Sequence, residues 1–168
     1  IQSLRDALRI TEIMYHPAGN PDAEFIELQN IGWSSLALGE LRLAGGVAYN
    51  FAEAGIGQLP AGERLIIAKN PELIRAMPGG RQATVLGPWS GKLSNNGEAI
   101  RLETDWGETV FSVAYKGSWH RRTDGQGLSL VLRDPHSAAA AWSSKAGWMP
   151  GLFPGGSPGR GENELAPL

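Results

Sequence analysis

Glu12-Ile13-Met14-Tyr15-His16-Pro17, followed by Glu24-Phe25-Ile26-Glu27-Leu28-Gln29-Asn30, is the stretch whose reading decides the fold. Each run is a strand flanked by turn residues. Neither alternates cleanly. Ile26 and Leu28 share one face, while Phe25 shares the other with Glu27 and Gln29, and Glu12 falls on the same parity as Ile10 and Met14. A strict period of two would put an acid among apolar residues, so a bulge or burial on both faces is expected here.

Working outward, the later strands are more regular. Ile100 and Leu102 face opposite to Arg101 and Glu103, and Leu128, Leu130 and Leu132 face opposite to Ser129 and Arg133. Phe111, Val113 and Tyr115 repeat the period after the turn-like Asp105-Trp106-Gly107-Glu108, so residues 99–115 read as a hairpin. Asn96-Gly97 is a second turn signal, of the kind found in primed hairpin turns. Arg64-Leu65-Ile66-Ile67-Ala68 is a nearly continuous run of β-formers and reads as a strand deep in a sheet. One short helix is expected, with Asn70 as its cap, Pro71 at its first position, Glu72 at the positive end of its dipole, and Leu73, Ile74 and Met77 on its buried face. Pro78-Gly79-Gly80 ends it. Eight to ten turn-spaced strands and one helix make an all-β sandwich rather than a series of βαβ units.

Composition narrows the classes further. A chain of 168 residues fits one domain and is long enough to bury a core without disulfides, so the absence of Cys carries no message about compartment. Fifteen basic and seventeen acidic residues leave a net charge of -2, which gives no general attraction to nucleic acid or anionic lipid. No apolar run approaches the roughly 20 residues of a membrane span, and no signal-peptide pattern opens the chain, so no membrane insertion is expected. The start at Ile1 suggests one module cut from a longer protein. Residues 1–7 read as a leader or linker, 8–153 as the sandwich, and 154–168 as a Gly/Pro-rich tail or linker.

Four segments carry a family resemblance in order: the opening pair of strands; Leu59-Pro60-Ala61-Gly62-Glu63-Arg64-Leu65-Ile66-Ile67-Ala68; Leu93-Ser94-Asn95-Asn96-Gly97-Glu98-Ala99-Ile100-Arg101-Leu102; and Asp124-Gly125-Gln126-Gly127-Leu128-Ser129-Leu130. Together they resemble the lamin-tail domain family of bacterial type, over roughly Leu8 to Asn163. Two departures stand out: Thr11 takes the place of the family's usual Asn, and the closing Pro158-Gly159 to Asn163 spacing is one residue longer. The resemblance implies an immunoglobulin-like β-sandwich that is not an enzyme. Bacterial relatives are fused to secreted or surface proteins, whereas animal relatives sit at the nuclear lamina and contact chromatin. It further implies that Trp89 plugs the sandwich and that Trp142 is structural.

Catalytic chemistry finds few footholds. The chain has no phosphate-binding glycine loop and no His-Glu-x-x-His, and its three His are scattered at 16, 120 and 136. Asp22, Glu24 and Glu27, with Glu12, are the closest acids, with calcium binding or acid–base chemistry as the alternatives to a structural role. Residues 24 and 27 point to opposite faces of a regular strand, so the structural role is preferred: Glu12 or Glu27 would satisfy buried donors or an Arg. His16 before Pro17 reads as a strand end rather than a metal ligand. No catalytic residue, metal or cofactor is assigned.

The candidate binding residues are Trp119, His120, Arg121 and Arg122, a loop aromatic beside the only basic cluster. The expected function is a non-catalytic, monomeric interaction or spacer module of a larger exported bacterial protein. By resemblance it belongs outside the cell or on its surface, with a protein or cell-surface polymer as partner and nucleic acid disfavoured. Two alternatives stand beside it: a carbohydrate-binding module using Trp119 and Trp106, and a small metal-dependent hydrolase using Asp22, Glu24 and Glu12.

Overall fold

The computed structural model describes residues 1–162. Helix α1 (Gln2–Ala7) leads into β1 (Leu8–Met14), β2 (Phe25–Asn30), β3 (Leu36–Ala37), β4 (Leu41–Ala44), β5 (Val47–Asn50), β6 (Gln58–Leu59) and β7 (Arg64–Ala68). Helix α2 (Pro71–Arg75) follows, then β8 (Thr84–Leu86), β9 (Ser90–Gly91), β10 (Gly97–Thr104), β11 (Thr109–Lys116), β12 (Leu130–Leu132) and β13 (Trp148–Pro150). Among the described residues, one sheet runs β13-β12-β1-β2-β7-β8 and the other β11-β10-β4-β5-β9, with β3 and β6 paired separately. The two sheets enclose the core as an all-β, immunoglobulin-like sandwich. No helix of the described residues is long and apolar enough to cross a membrane.

The irregular opening strands have a single physical cause. The β1–β2 register shifts between Ile10 and Glu12, and this bulge turns both Leu8/Ile10 and Ile13/Tyr15 toward the core. The expected bulge is therefore present. On β2, Ile26 and Leu28 face the same core, while Phe25 joins Met14, Ile66, Ala68, Ile74 and Val85 in a second apolar cluster. β7 is buried on both faces, as its unbroken apolar run requires: Leu65 and Ile67 point inward, Ile66 outward under α2. Asn70 Oδ1 accepts from the Glu72 N–H at the start of α2, and Ile74 is its buried residue. The chain then returns beside β7 in parallel, a single βαβ crossover that the strand spacing did not suggest.

Both expected linkers are part of the fold. Instead of a leader, residues 2–7 form α1, whose Leu4 and Ala7 pack on the core. Its last carbonyls have no partner within the helix, and Arg9 supplies one: the guanidinium donates to the carbonyls of Arg5, Asp6 and Leu8, and to that of Pro135. Arg9 also stacks on Trp142, 4.4 Å from the ring centre. At the other end, Gly156, Ser157 and Pro158 are buried against the outer face of the six-stranded sheet. Gly156, at φ +92°, fits because a Cβ there would lie 2.7 Å from Phe25 and 2.8 Å from Glu12. The tail is thus a lid on one sheet, and the Asn163 of its closing motif lies outside the described residues.

β10 and β11 form the expected hairpin, with Ile100 opposite Val113 and Leu102 opposite Phe111. Asn96-Gly97 does not make a primed hairpin turn: only Gly97 has positive φ, and the turn delivers the chain from β9 into β10. The demand on Gly97 is steric as well as conformational, since a Cβ there would sit 2.4 Å from the Tyr115 carbonyl oxygen at φ +116°. Gly97→Val is expected to cost roughly 2–4 kcal/mol, adding backbone strain to a clash. Thermal unfolding of the variant checks this, and an unchanged melting temperature would refute it.

Candidate functional site

The bulge in β1 places Thr11 and Glu12 on the outer face, where Glu12 stands directly opposite Glu27 of β2. Both acids are 2% exposed. Glu12 Oε1 accepts from Ser129 Oγ (2.6 Å) and the Ser157 N–H (2.8 Å), and Oε2 accepts from Ser157 Oγ (3.1 Å). Glu27 Oε1 is 2.7 Å from Thr11 Oγ1 and 3.4 Å from Arg64 Nε, while Oε2 accepts from the Gly159 N–H at 2.8 Å. Thr11, the residue that departs from the family pattern, is therefore a working partner of the pair. Burial first, opposed by these hydrogen bonds, pushes Glu12 up to about 7. Burial and then the charge of Glu12 push Glu27 up to about 8. The pair borders a cleft of about 210 Å³ that Arg64, Arg133 and Arg160 also line.

The remaining acids go elsewhere. Glu24 accepts from the Leu93 N–H on the inner side, and Asp22 pairs with Lys69 at 3.0 Å. Asp22, Glu24 and Glu12 are thus held by three different sets of partners, and the metal-dependent hydrolase that requires their convergence has no site. Among the described residues, no group of three or more His, Asp or Glu is placed to hold a metal ion. His16 follows β1 and its Nδ1 meets Asp124 Oδ1 at 2.7 Å.

Trp119 does not form an exposed platform. It is 8% exposed and belongs to the main core, because the loop carrying it is tied down from beneath: Tyr15 Oη meets Thr123 Oγ1 at 2.9 Å and donates to the Gly117 carbonyl. His120 Nε2 donates to the Trp148 carbonyl, and Arg121 and Arg122 remain exposed on a short 3-10 turn (Arg121–Thr123). The four residues are neighbours in sequence, but the aromatic ring and the guanidinium groups face different environments. Trp89, Trp142 and Trp148 are also core residues; Trp142 packs edge-to-face on Phe111 at 5.9 Å.

Two tryptophans stay outside. Trp33 is 101% exposed and Trp106 63% exposed. They occupy the same end of the sandwich, since Leu8 at the start of β1 lies opposite Asn30 at the end of β2, and α1 is tied there to the β10–β11 turn by Arg5, which donates to the carbonyls of Thr109 and Val110. Between α1, the segment after β2 and that turn lies a groove of about 610 Å³, walled by Trp106, Ser3, Ser35 and Glu40 over Leu36 and Leu41. Trp33 lines a second hollow of about 530 Å³ together with Arg64, Pro135 and His136. Trp33 was not singled out in the sequence; its setting, Gly32-Trp33-Ser34-Ser35 close after Asn30, is the signal that could have found it.

Two outcomes follow. Both buried carboxyls hold protons at pH values where an unfolded chain has lost them, so the stability this pair contributes is fullest below about pH 4.5 and is lost as the pH rises from there through about 7 to 8. Melting temperatures measured from pH 5 to 9 are expected to decline in the native chain and to stay flatter in Glu27→Gln; a flat native profile would contradict the buried pair. Trp119→Ala is expected to cost roughly 3–5 kcal/mol as a core truncation, against roughly 0.5 kcal/mol or less for Trp33→Ala or Trp106→Ala. Denaturant titration of the three variants separates core from surface, and equal losses would show that assignment to be wrong.

The Lamin Tail Domain family model matches residues 2–117, from the first residue of α1 to the residue after β11. The matched part supplies the whole five-stranded sheet and four strands of the other, to which the remaining chain adds β12, β13 and the lid over Glu12 and Glu27. No curated protein matches the chain. With well over half of its length matched and the sandwich in place, the chain belongs to the lamin-tail domain family.

Proposed function

We propose that this lamin-tail domain is a non-catalytic, monomeric interaction module of a larger exported bacterial protein, and that its contact surface is the α1 end of the sandwich. The observation that carries the reading is the division of the six tryptophans: four are at most 8% exposed, while Trp33 and Trp106 project from one end. A large aromatic side chain left in water loses the burial that would have stabilised the fold, and such residues dominate the energetics of recognition when a partner covers them. The groups that could have carried catalysis are engaged in structural bonds, which supports the non-catalytic reading. The exported setting and the bacterial parent rest on the resemblance to relatives carried by secreted and surface proteins.

A fluorescent protein fused to this domain tests the reading on cells that make the native chain. It is expected to stay at their outer surface, and the double substitution Trp33→Ala with Trp106→Ala is expected to reduce retention on the order of ten-fold or more, as loss of aromatic anchors does at other interfaces. Retention that ignores both substitutions would overturn the assignment.

A further inference from the structure

We propose that the α1 end is a carbohydrate-binding face which takes a neutral polysaccharide chain across Trp106 and Trp33. This rests on the interaction-module reading above and specifies its partner. The two rings are held out by ordered backbone. Asn30, fully buried, donates from Nδ2 to the carbonyls of Ser34 and Leu59 and accepts the Gly32 N–H on Oδ1, so the loop around Trp33 is shaped from within. The Ile31 N–H donates to the Ala7 carbonyl and fixes that loop to α1. Trp106 sits on a turn closed by Gly107 N–H to the Thr104 carbonyl and Glu108 N–H to Thr104 Oγ1, and the Asp105 N–H donates to the Glu40 carbonyl across the groove. Rings presented by a preset backbone lose little conformational freedom on binding.

The chemistry around the rings selects the partner. An indole face accepts the axial C–H groups of a pyranose, and the hydroxyls of the same ring need polar partners at the side. Ser3, Ser35 and the Glu40 carboxylate line the groove beside Trp106, and within the described residues their side chains make no hydrogen bond or ion pair. No Lys or Arg lines this groove, where Glu40 and the exposed Asp105 stand near Trp106; the nearest guanidinium groups are paired with acids, Arg5 with Glu108 at the Trp106 turn and Arg64, in the hollow lined by Trp33, with Glu27. Polyanions are repelled from such a surface, whereas an uncharged polyol meets both the stacking face and the acceptors. The earlier pairing of Trp119 with Trp106 as sugar platforms is replaced by Trp33 with Trp106, because Trp119 is in the core.

Affinity electrophoresis of the domain in gels containing laminarin, xylan or galactomannan, with duplex DNA and hyaluronan as charged controls, tests the proposal. Retardation by at least one neutral polysaccharide, unaffected by 0.5 M salt as about a 3–5 Å Debye length would leave a neutral contact, is the expected result. Trp33→Ala and Trp106→Ala should each weaken it ten-fold or more with unchanged melting temperatures, and Trp106→Phe should retain part of it. Absence of retardation by all three neutral polymers, salt-labile retardation by the polyanions alone, or sugar binding indifferent to both substitutions would each overturn the proposal. If the cell-surface retention described above still depends on Trp33 and Trp106 while no neutral polysaccharide binds, the carbohydrate assignment fails and the interaction module stands. Retention independent of both residues would remove the module's contact surface itself.

Discussion

One extra residue in β1 governs much of this molecule. Without the register shift between Ile10 and Glu12, the strand could turn either Leu8 and Ile10 or Ile13 and Tyr15 into the core, but not all four. The bulge resolves that conflict and leaves Thr11 and Glu12 side by side on the outer face. There Glu12 meets Glu27 across the β1–β2 ladder, and the pair supplies hydrogen-bond acceptors to a segment that has no strand of its own. A Gly/Pro-rich chain has little apolar surface with which to hold itself down. Its Ser157 and Gly159 N–H groups are held by carboxylates instead. The lid, the second apolar cluster beneath α2 and the fit of Gly156 all follow from that placement.

At the opposite end of β1, Arg9 performs a comparable task with opposite charge. Its guanidinium closes α1, reaches the Pro135 carbonyl and stacks on Trp142, so a single buried cation connects the N-terminal helix to the segment between β12 and β13. Burying a guanidinium is costly unless its donors are matched, and four carbonyls meet that requirement. The groove beside Trp106 therefore has a rigid wall. α1 is too short to be stable alone, and it holds its position because Arg5 and Arg9 anchor it from two sides. The interaction surface is built on structure that the Arg5 and Arg9 guanidinium groups, together with Leu4 and Ala7 packed on the core, keep in place.

Much of the architecture was legible because it rests on local rules. Alternation located β10, β11 and β12, the unbroken run at Arg64-Leu65-Ile66-Ile67-Ala68 located a strand buried on both faces, and Asn70-Pro71-Glu72 located α2. The acid Glu12 on the parity of Ile10 and Met14 signalled a bulge or burial on both faces. What escaped notice depends on contacts between distant residues. Residues 2–7 looked like a leader because their pattern is too short to show a face; their helix is fixed by Arg9, Val110 and Thr109. The tail looked unpacked because composition does not reveal that two carboxylates, more than 130 positions away, need its N–H groups. For the candidate site, Trp106 was readable from its turn, while Trp119 was misplaced: a loop rich in Gly and Ser suggested exposure, and only the Tyr15–Thr123 contact shows why that loop turns its ring inward.

A buried carboxyl pair with raised pKa values is also the usual mark of an active site, and Glu12 and Glu27 would attract that interpretation on electrostatics alone. Geometry argues the other way. General acid–base work needs an oxygen free to reach a substrate, and each of the four carboxylate oxygens here already has a partner within the fold. Two of those partners are backbone N–H groups of the lid, so freeing those oxygens for a substrate would mean releasing the segment that the pair holds. The same fact explains why two acids stand buried on this face of the sheet. Nonpolar residues at 12 and 27 would remove a desolvation cost but leave the Ser157 and Gly159 N–H groups without acceptors. The perturbation of these carboxyls therefore reflects the fastening of the C-terminal lid, and recognition is left to the end of the sandwich where Trp33 and Trp106 stand in solvent.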